Sequence, residues 1–298
     1  MSNIPNDKRD MPYGSAFAVK DAATTSILSS PLDLTVFDSD TVIDDFLDTY
    51  DDWIKSTTAN TITGLDNFKY RCYSNGTTES FDKFYMKNAT RRFRCFRGEY
   101  MYHKLAWRDK FNWLWLEDSK LNKNDAVVIS LPFANTGNKH TDMEQLLFNC
   151  DALGIPVLVD CAYFGICSNI DFNFNHSCIT DITFSLSKTF PLAYARTGMR
   201  YTREDNDDTM FVYQKIHYNN KLGATLGLKF LNLFGPDYIP STYKPAQLEM
   251  CKLCEVEPSD TVLFGIDYNS KYPEYNRGSN TNRLSFHKTF GEIHASTK

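Results

Sequence analysis

Long apolar runs are missing from this 298-residue chain. A membrane-spanning helix takes about 20 consecutive apolar residues, and no stretch approaches that. The first residues, through Asn6-Asp7-Lys8-Arg9-Asp10, have no hydrophobic signal region behind them, so the expected location is intracellular and cytoplasmic. Positive charge is also short: 32 Lys and Arg against 37 Asp and Glu leave a formal net charge of −5. That balance offers no field to nucleic acid or to an anionic membrane, and neither is expected as a partner. The basic cluster Arg91, Arg92, Arg94 and Arg97 is local and reads as a solvated edge or a subunit contact. Among eight cysteines there is a single C-x-x-C, Cys251-Lys252-Leu253-Cys254, without a second pair or nearby histidines. No metal site is expected, and the thiols are expected to stay reduced. Internal repeats and low-complexity segments are absent too.

What is present is an ordinary globular composition, 42% hydrophobic and 23% charged, in a chain long enough for a large core and one or two domains. Strand-like runs fall at 69–74, 92–96, 126–131, 156–160, 181–186 and 198–202, mostly separated by helical or looped stretches. The clearest helix runs from Thr141, its expected cap, to Leu153, and ends near Gly154. Such alternation predicts a mainly parallel sheet between helices, with ligands gathered at the carboxyl ends of the strands. The flanks hold two further helical patterns, one through Val42, Phe46, Leu47, Tyr50, Trp53 and Ile54, the other from Leu222 to Phe234. After the second comes irregular Pro- and Tyr-rich sequence, then a strand-like piece from Thr261 to Asp267.

The segment Ser185-Leu186-Ser187-Lys188-Thr189-Phe190, followed by Arg196-Thr197-Gly198, carries the most chemistry. The apolar run Ile182-Thr183-Phe184 leads into it and puts Lys188 at the end of a buried strand. Desolvation disfavours an ammonium there unless a partner or a reaction compensates. Two upstream hydroxyls and a downstream arginine suit a phosphate while the amine forms a Schiff base. That set reads as a lysine for pyridoxal 5′-phosphate (PLP); a strand-end lysine reaching solvent is the plain alternative.

Four more segments lie at strand ends. In Tyr73-Ser74-Asn75-Gly76-Thr77-Thr78-Glu79-Ser80 a glycine turn opens a helix predicted over 77–87; its free N–H groups and dipole suit a phosphate, or simply a capped helix start. Arg97-Gly98-Glu99-Tyr100-Met101-Tyr102-His103 follows a strand and offers aromatic rings. Ala126 to Leu131 is a continuous apolar strand, turning at Pro132-Phe133-Ala134-Asn135-Thr136-Gly137. Val157-Leu158-Val159-Asp160-Cys161-Ala162-Tyr163 ends a buried strand in an aspartate that needs a cationic or hydrogen-bonding partner.

In this order, the five segments resemble the fold-type I PLP-dependent enzymes, in particular the aspartate aminotransferase branch. The matched region spans residues 68–202, nearly half the chain. The resemblance implies an α/β three-layer sandwich on a mainly parallel sheet, with a PLP-binding large domain at 60–215. A reduced, discontinuous small domain would come from 1–59 and 216–298. It gives Gly76, Thr77, Thr78, Ser185, Ser187 and Arg196 to the cofactor phosphate, and ring stacking to Tyr100, with Tyr102 as competitor. His103 falls where some members keep a supporting histidine. Asp160 would pair with the pyridine nitrogen and keep the ring an electron sink. Tyr163 would donate to the phenolic oxygen, and Lys188 would carry the Schiff base. The asparagine of the N-P-x-N-P-T-G loop that also reaches this oxygen is displaced: Ala134 stands there, and Asn135 takes the role by a small shift or the contact is lost. Arg283, within Asn282-Arg283-Leu284-Ser285, matches the arginine that forks onto the substrate α-carboxylate.

These expectations describe a homodimeric aminotransferase moving an amino group between an amino acid (or related amine) and a keto acid. The alternatives are a PLP lyase, decarboxylase or oxidase on the same scaffold, or a non-catalytic relative.

Overall fold

The structure, a computed structural model, describes residues 16–105, 110–205 and 207–290; the charged segment 6–10 lies outside them. The chain begins with helices α1 (Ala22–Leu28) and α2 (Val42–Lys55), then β1 (Thr61–Thr63), β2 (Tyr70–Ser74), α3 (Thr77–Lys87) and β3 (Arg92–Cys95). Next come α4 (Tyr102–Leu105), β4 (Trp113–Trp115), β5 (Asp125–Ser130), α5 (Met143–Leu153), β6 (Val157–Cys161), β7 (Asp171–Asn173), β8 (Ile179–Ser185) and β9 (Gly198–Thr202). Helices α6 (Thr209–Lys215), α7 (Lys221–Leu233) and α8 (Tyr238–Cys254) precede β10 (Glu257–Pro258), β11 (Phe264–Asp267) and β12 (Asn282–Ser285).

Seven strands form the main sheet in the order β2-β9-β8-β6-β5-β3-β4. All pairings from β8 to β4 are parallel, whereas β9 runs antiparallel to both its neighbours. The expected mainly parallel α/β sandwich is therefore present. Side-chain alternation explains its layers: Ala126, Val128 and Leu158 pack with Phe81, Phe84 and Tyr85 of α3, while Val127, Ile129, Val157 and Val159 face the opposite cluster. That opposite cluster contains the apolar stripe of α2 (Ile43, Phe46, Tyr50, Trp53, Ile54) together with Ala224, Phe230 and Leu231 of α7. A separate cluster is built from Ala16 and Val19, from α8, and from the antiparallel sheet β10-β11-β12.

Three local expectations need correction. Arg94 is not on a solvated edge: it is 0% exposed, bonded to Asp125 at 2.7 Å and to the carbonyls of Leu114, Trp115 and Ser119. Asp125 also takes Arg92 at 2.7 Å, so this part of the basic cluster ties β3 to β5. The cap of α5 is Asp142 rather than Thr141, without a side-chain cap bond, although the helix does end at Gly154 in the left-handed region. The Pro- and Tyr-rich stretch after α7 is helical, not irregular. Pro240 falls in the first turn of α8, where no donor is lost, and Pro245 is carried inside it. Burial of Ile239, Tyr243, Met250 and Cys251 outweighs the missing backbone bond.

Candidate active site

The carboxyl ends of β2, β5, β6 and β8, and the start of β9, meet around a cavity of about 470 Å³. Thr77, Thr78, Tyr100, Asp160, Tyr163, Ser185, Ser187, Lys188, Arg196 and Arg283 all line it. Residues spread over more than 200 positions are thus brought to one place by strand ends, as expected for this sheet type.

One end of the cavity is shaped for an anion. Gly76, with φ +73°, opens α3, whose first-turn residues Thr77 and Thr78 line the cavity, and a helix start of this kind suits an anion. Gly76 itself does not line the space; a Cβ there would run into the Arg196 guanidinium. Arg196, itself at φ +55°, donates to the Asn75 carbonyl at 2.9 Å and to Thr78 Oγ1 at 3.0 Å. Across from it, Ser185 Oγ lies 2.9 Å from Ser187 Oγ. Hydroxyls, a helix N-terminus and a guanidinium form a donor set that fits a phosphate.

Lys188 follows β8 by three residues, and its Nζ donates to the Ala16 carbonyl at 2.6 Å, 5.2 Å from the Phe17 ring centre. Burial lowers its proton affinity, Arg283 and Arg196 lower it further, and Tyr163 and Asp160 oppose them. Asp160 is 5% exposed, with Oδ1 accepting from the Ala162 N–H at 3.0 Å. Burial, then the Glu99 charge, pushes its carboxyl up to about 7, with Lys188 pulling the other way.

Arg283 on β12 is buried over the Phe264 ring, 4.1 Å from its centre. Its Nη1 donates to Tyr163 Oη at 3.1 Å and to the Ala134 carbonyl. Burial lowers the guanidinium to about 10, so it stays cationic at neutral pH. Burial alone would raise the Tyr163 phenol, but Arg283, Arg277 and Lys188 together bring it below its ordinary value.

Not every expected residue reaches the cavity. Asn135 is 1% exposed and turned away: its amide donates to Ser279 Oγ at 2.7 Å and Thr281 Oγ1 at 2.6 Å, while Ala134 lines the space. Asn135 therefore latches the loop that leads into β12. Tyr100 lines the cavity, whereas Tyr102 bonds Asp82 at 2.7 Å outside it. His103 is fully buried against Tyr85 and the Phe81 ring, and burial drives it down to about 3, so it is neutral. Sequence reasoning missed Ala16, Phe17, Ser130, Tyr194 and Arg277, all of which line the cavity. They sit in loops or at a strand terminus without periodicity; only the C-terminal position of Ser130 on a buried strand was a signal.

Among the described residues no cluster of His, Cys, Asp and Glu is placed to hold a metal, no helix is long and apolar enough to cross a membrane, and all eight cysteines are buried and free of disulfides.

No protein-family model and no curated protein matches the chain, but solved structures do. The aromatic aminotransferase of Pyrococcus horikoshii OT3 superposes with a TM-score of 0.63 at 12% identity, over 94% of this chain and 91% of that one. The PLP-bound C-S lyase of Staphylococcus hominis, complexed with L-cycloserine, gives 0.64 at 9% identity, over 98% and 92%. The histidinol-phosphate aminotransferase of Clostridium acetobutylicum gives 0.56 at 13%, over 95% and 99%. Across nearly its whole length, the chain has the fold of the type I PLP-dependent aminotransferases and lyases.

Proposed function

We propose that this protein binds PLP on Lys188 and works as an aminotransferase between an amino acid, or a related amine, and a keto acid. The observation that carries the reading is the cavity's polarity: an amine after one strand end, a phosphate-shaped donor set and the buried carboxyl of Asp160 line one space. The donor set at Thr77, Thr78, Ser185, Ser187 and Arg196 would hold the PLP phosphate, Lys188 would meet its aldehyde, and Asp160 would meet its ring nitrogen. When bound, PLP supplies an aldehyde that condenses with amines and a ring that accepts electron density from the substrate α-carbon.

The chain's own residues do the rest. Lys188 Nζ would hold the cofactor aldehyde and would serve as the base that takes the proton from the substrate α-carbon; its burial-lowered proton affinity suits that role. Asp160 holds a proton at the ring nitrogen. Tyr163, held by Arg283, addresses the phenolic oxygen, a duty Asn135 does not share because its amide is committed to Ser279 and Thr281. Tyr100 covers the ring face, and Arg283 forks the substrate carboxylate. Division into a large domain at 60–215 and a small one from the two flanks, and assembly as a homodimer, belong to the same reading.

Ala134 and the likeness to a C-S lyase favour one alternative, elimination on the same scaffold. Incubation with amino acid and keto acid separates the two. Equimolar exchange of the amino group supports transfer, whereas release of ammonia without keto acid consumption supports elimination. No absorption change on adding PLP overturns both.

A further inference from the structure

Glu99 is buried, 5% exposed, next to the cavity-lining Tyr100, and the reaction as described gives it no task. Its Oε1 accepts from the Ser130 N–H at 2.8 Å, and its Oε2 from Ser130 Oγ at 2.6 Å and from the Tyr100 N–H at 3.2 Å. Ser130 is the register partner of Asp160 across β5 and β6. A second buried carboxyl group is therefore held by the residue directly opposite Asp160.

The charges around the two are few. Arg277 faces Glu99 from the loop before β12. Lys188 faces Asp160 from beyond β8, Tyr100 from the loop after β3, Tyr85 from α3, and Cys161 from β6 itself. Tyr100, Tyr85 and Cys161 are all raised by burial and stay neutral near pH 7. Burial raises Glu99 to about 7 against the bonds from Ser130 and Tyr100 and the Arg277 charge.

We propose that Glu99 and Asp160 share one proton, with Glu99 as a positioning residue whose charge makes Asp160 the stronger proton acceptor. The proposal rests on the reading of the cavity as a PLP site. With a ring nitrogen held at Asp160, the proton of the carboxyl pair would pass to that nitrogen's lone pair as the carboxyl O–H breaks. Two carboxylates then face one cationic nitrogen, and net charge is conserved.

Infrared titration of the carboxyl band in the cofactor-free protein tests the coupling. Wild type should keep a protonated carboxyl up to neutral pH. Glu99→Gln should move the titration of the remaining Asp160 down by about one unit or more. Ser130→Ala, which keeps both carboxyls but removes a donor to Glu99, should move the titration up; it also covers a Glu99→Gln variant that does not fold. A titration left in place by these substitutions overturns the proposal. With PLP added between pH 6 and 9, affinity should begin to fall at lower pH in Glu99→Gln than in wild type, and identical profiles overturn the proton transfer. Wild-type protein that binds no PLP overturns the cofactor reading, a failure separable from the coupling because the coupling is read without PLP.

Discussion

Lys188 donates from Nζ to the Ala16 carbonyl at 2.6 Å, so the amine proposed to capture PLP is held by a segment 172 residues away in sequence. Under the proposed function, capture would exchange that bond for a covalent one. Lys188→Ala should therefore leave no PLP attached after borohydride reduction and should reduce turnover to background, as read by absorption and mass spectrometry. Full activity in that variant would end the proposed function. Phe17→Ala removes the ring beside the amine, a contact of about 0.5–1 kcal/mol, and should speed capture a few-fold in stopped-flow mixing.

At the phosphate end, Arg196 bonds Asn75 and Thr78 while its guanidinium fills the space a Gly76 side chain would need. Arg196→Ala should weaken PLP by about ten- to a hundredfold, from a charge-assisted bond worth about 1.5–3 kcal/mol. Gly76→Ala should show a similar loss in equilibrium titration together with a lower Tm, because φ +73° strains a side chain there. Unchanged affinity in both variants would remove the phosphate from this end.

Arg283→Lys keeps the charge but loses the fork. With Tyr163 and the Ala134 carbonyl already bonded to the guanidinium, a single ammonium cannot serve them and a carboxylate together. The KM for the amino acid should rise about tenfold or more, with kcat changing less. A fall in kcat at constant KM would place Arg283 in the chemistry instead.

The pH dependence of stability has a definite sign. Glu99 and Asp160 are both raised to about 7 in the fold, above the ordinary carboxyl range. A raised group binds its proton more tightly when folded. The pair's contribution is whole below the unfolded value and is lost as pH rises through about 7. Cofactor-free wild type should accordingly lose Tm between pH 6 and 8 more steeply than Asp160→Asn. Taking the difference between variants removes His103 and His287, lowered by burial to about 3 and about 4, which act in the opposite sense as pH falls.

The part of this molecule that could be read from its residues is the part with a period or a fixed order. The strands at 126–131, 156–160 and 181–186 announced themselves as unbroken apolar runs, and they appear within two residues as β5, β6 and β8. Lys188 and Asp160 stand out because a polar group ending such a run has to be explained by chemistry or by a partner, whereas Tyr163 follows only from the resemblance of the D-x-A-Y segment. Helix α8 was hidden because Pro240 and Pro245 argue locally against a helix, and only burial against β11 and β12 overrides them. Asn135 was misleading because neighbouring residues in a turn point in different directions, and a shift of one position sent its amide toward Ser279. Arg277 left no signal, since its place depends on how the loop folds back over the sheet.

The latch from Asn135 to Ser279 and Thr281 separates the parts of the site that can vary from those that cannot. Arg277 and Arg283 belong to the 276–283 segment it holds, whereas Thr77, Asp160 and Ser185 line the cavity from the ends of β2, β6 and β8. If the proposed function holds, changes confined to 276–283 would shift substrate preference and leave the proposed cofactor contacts in place.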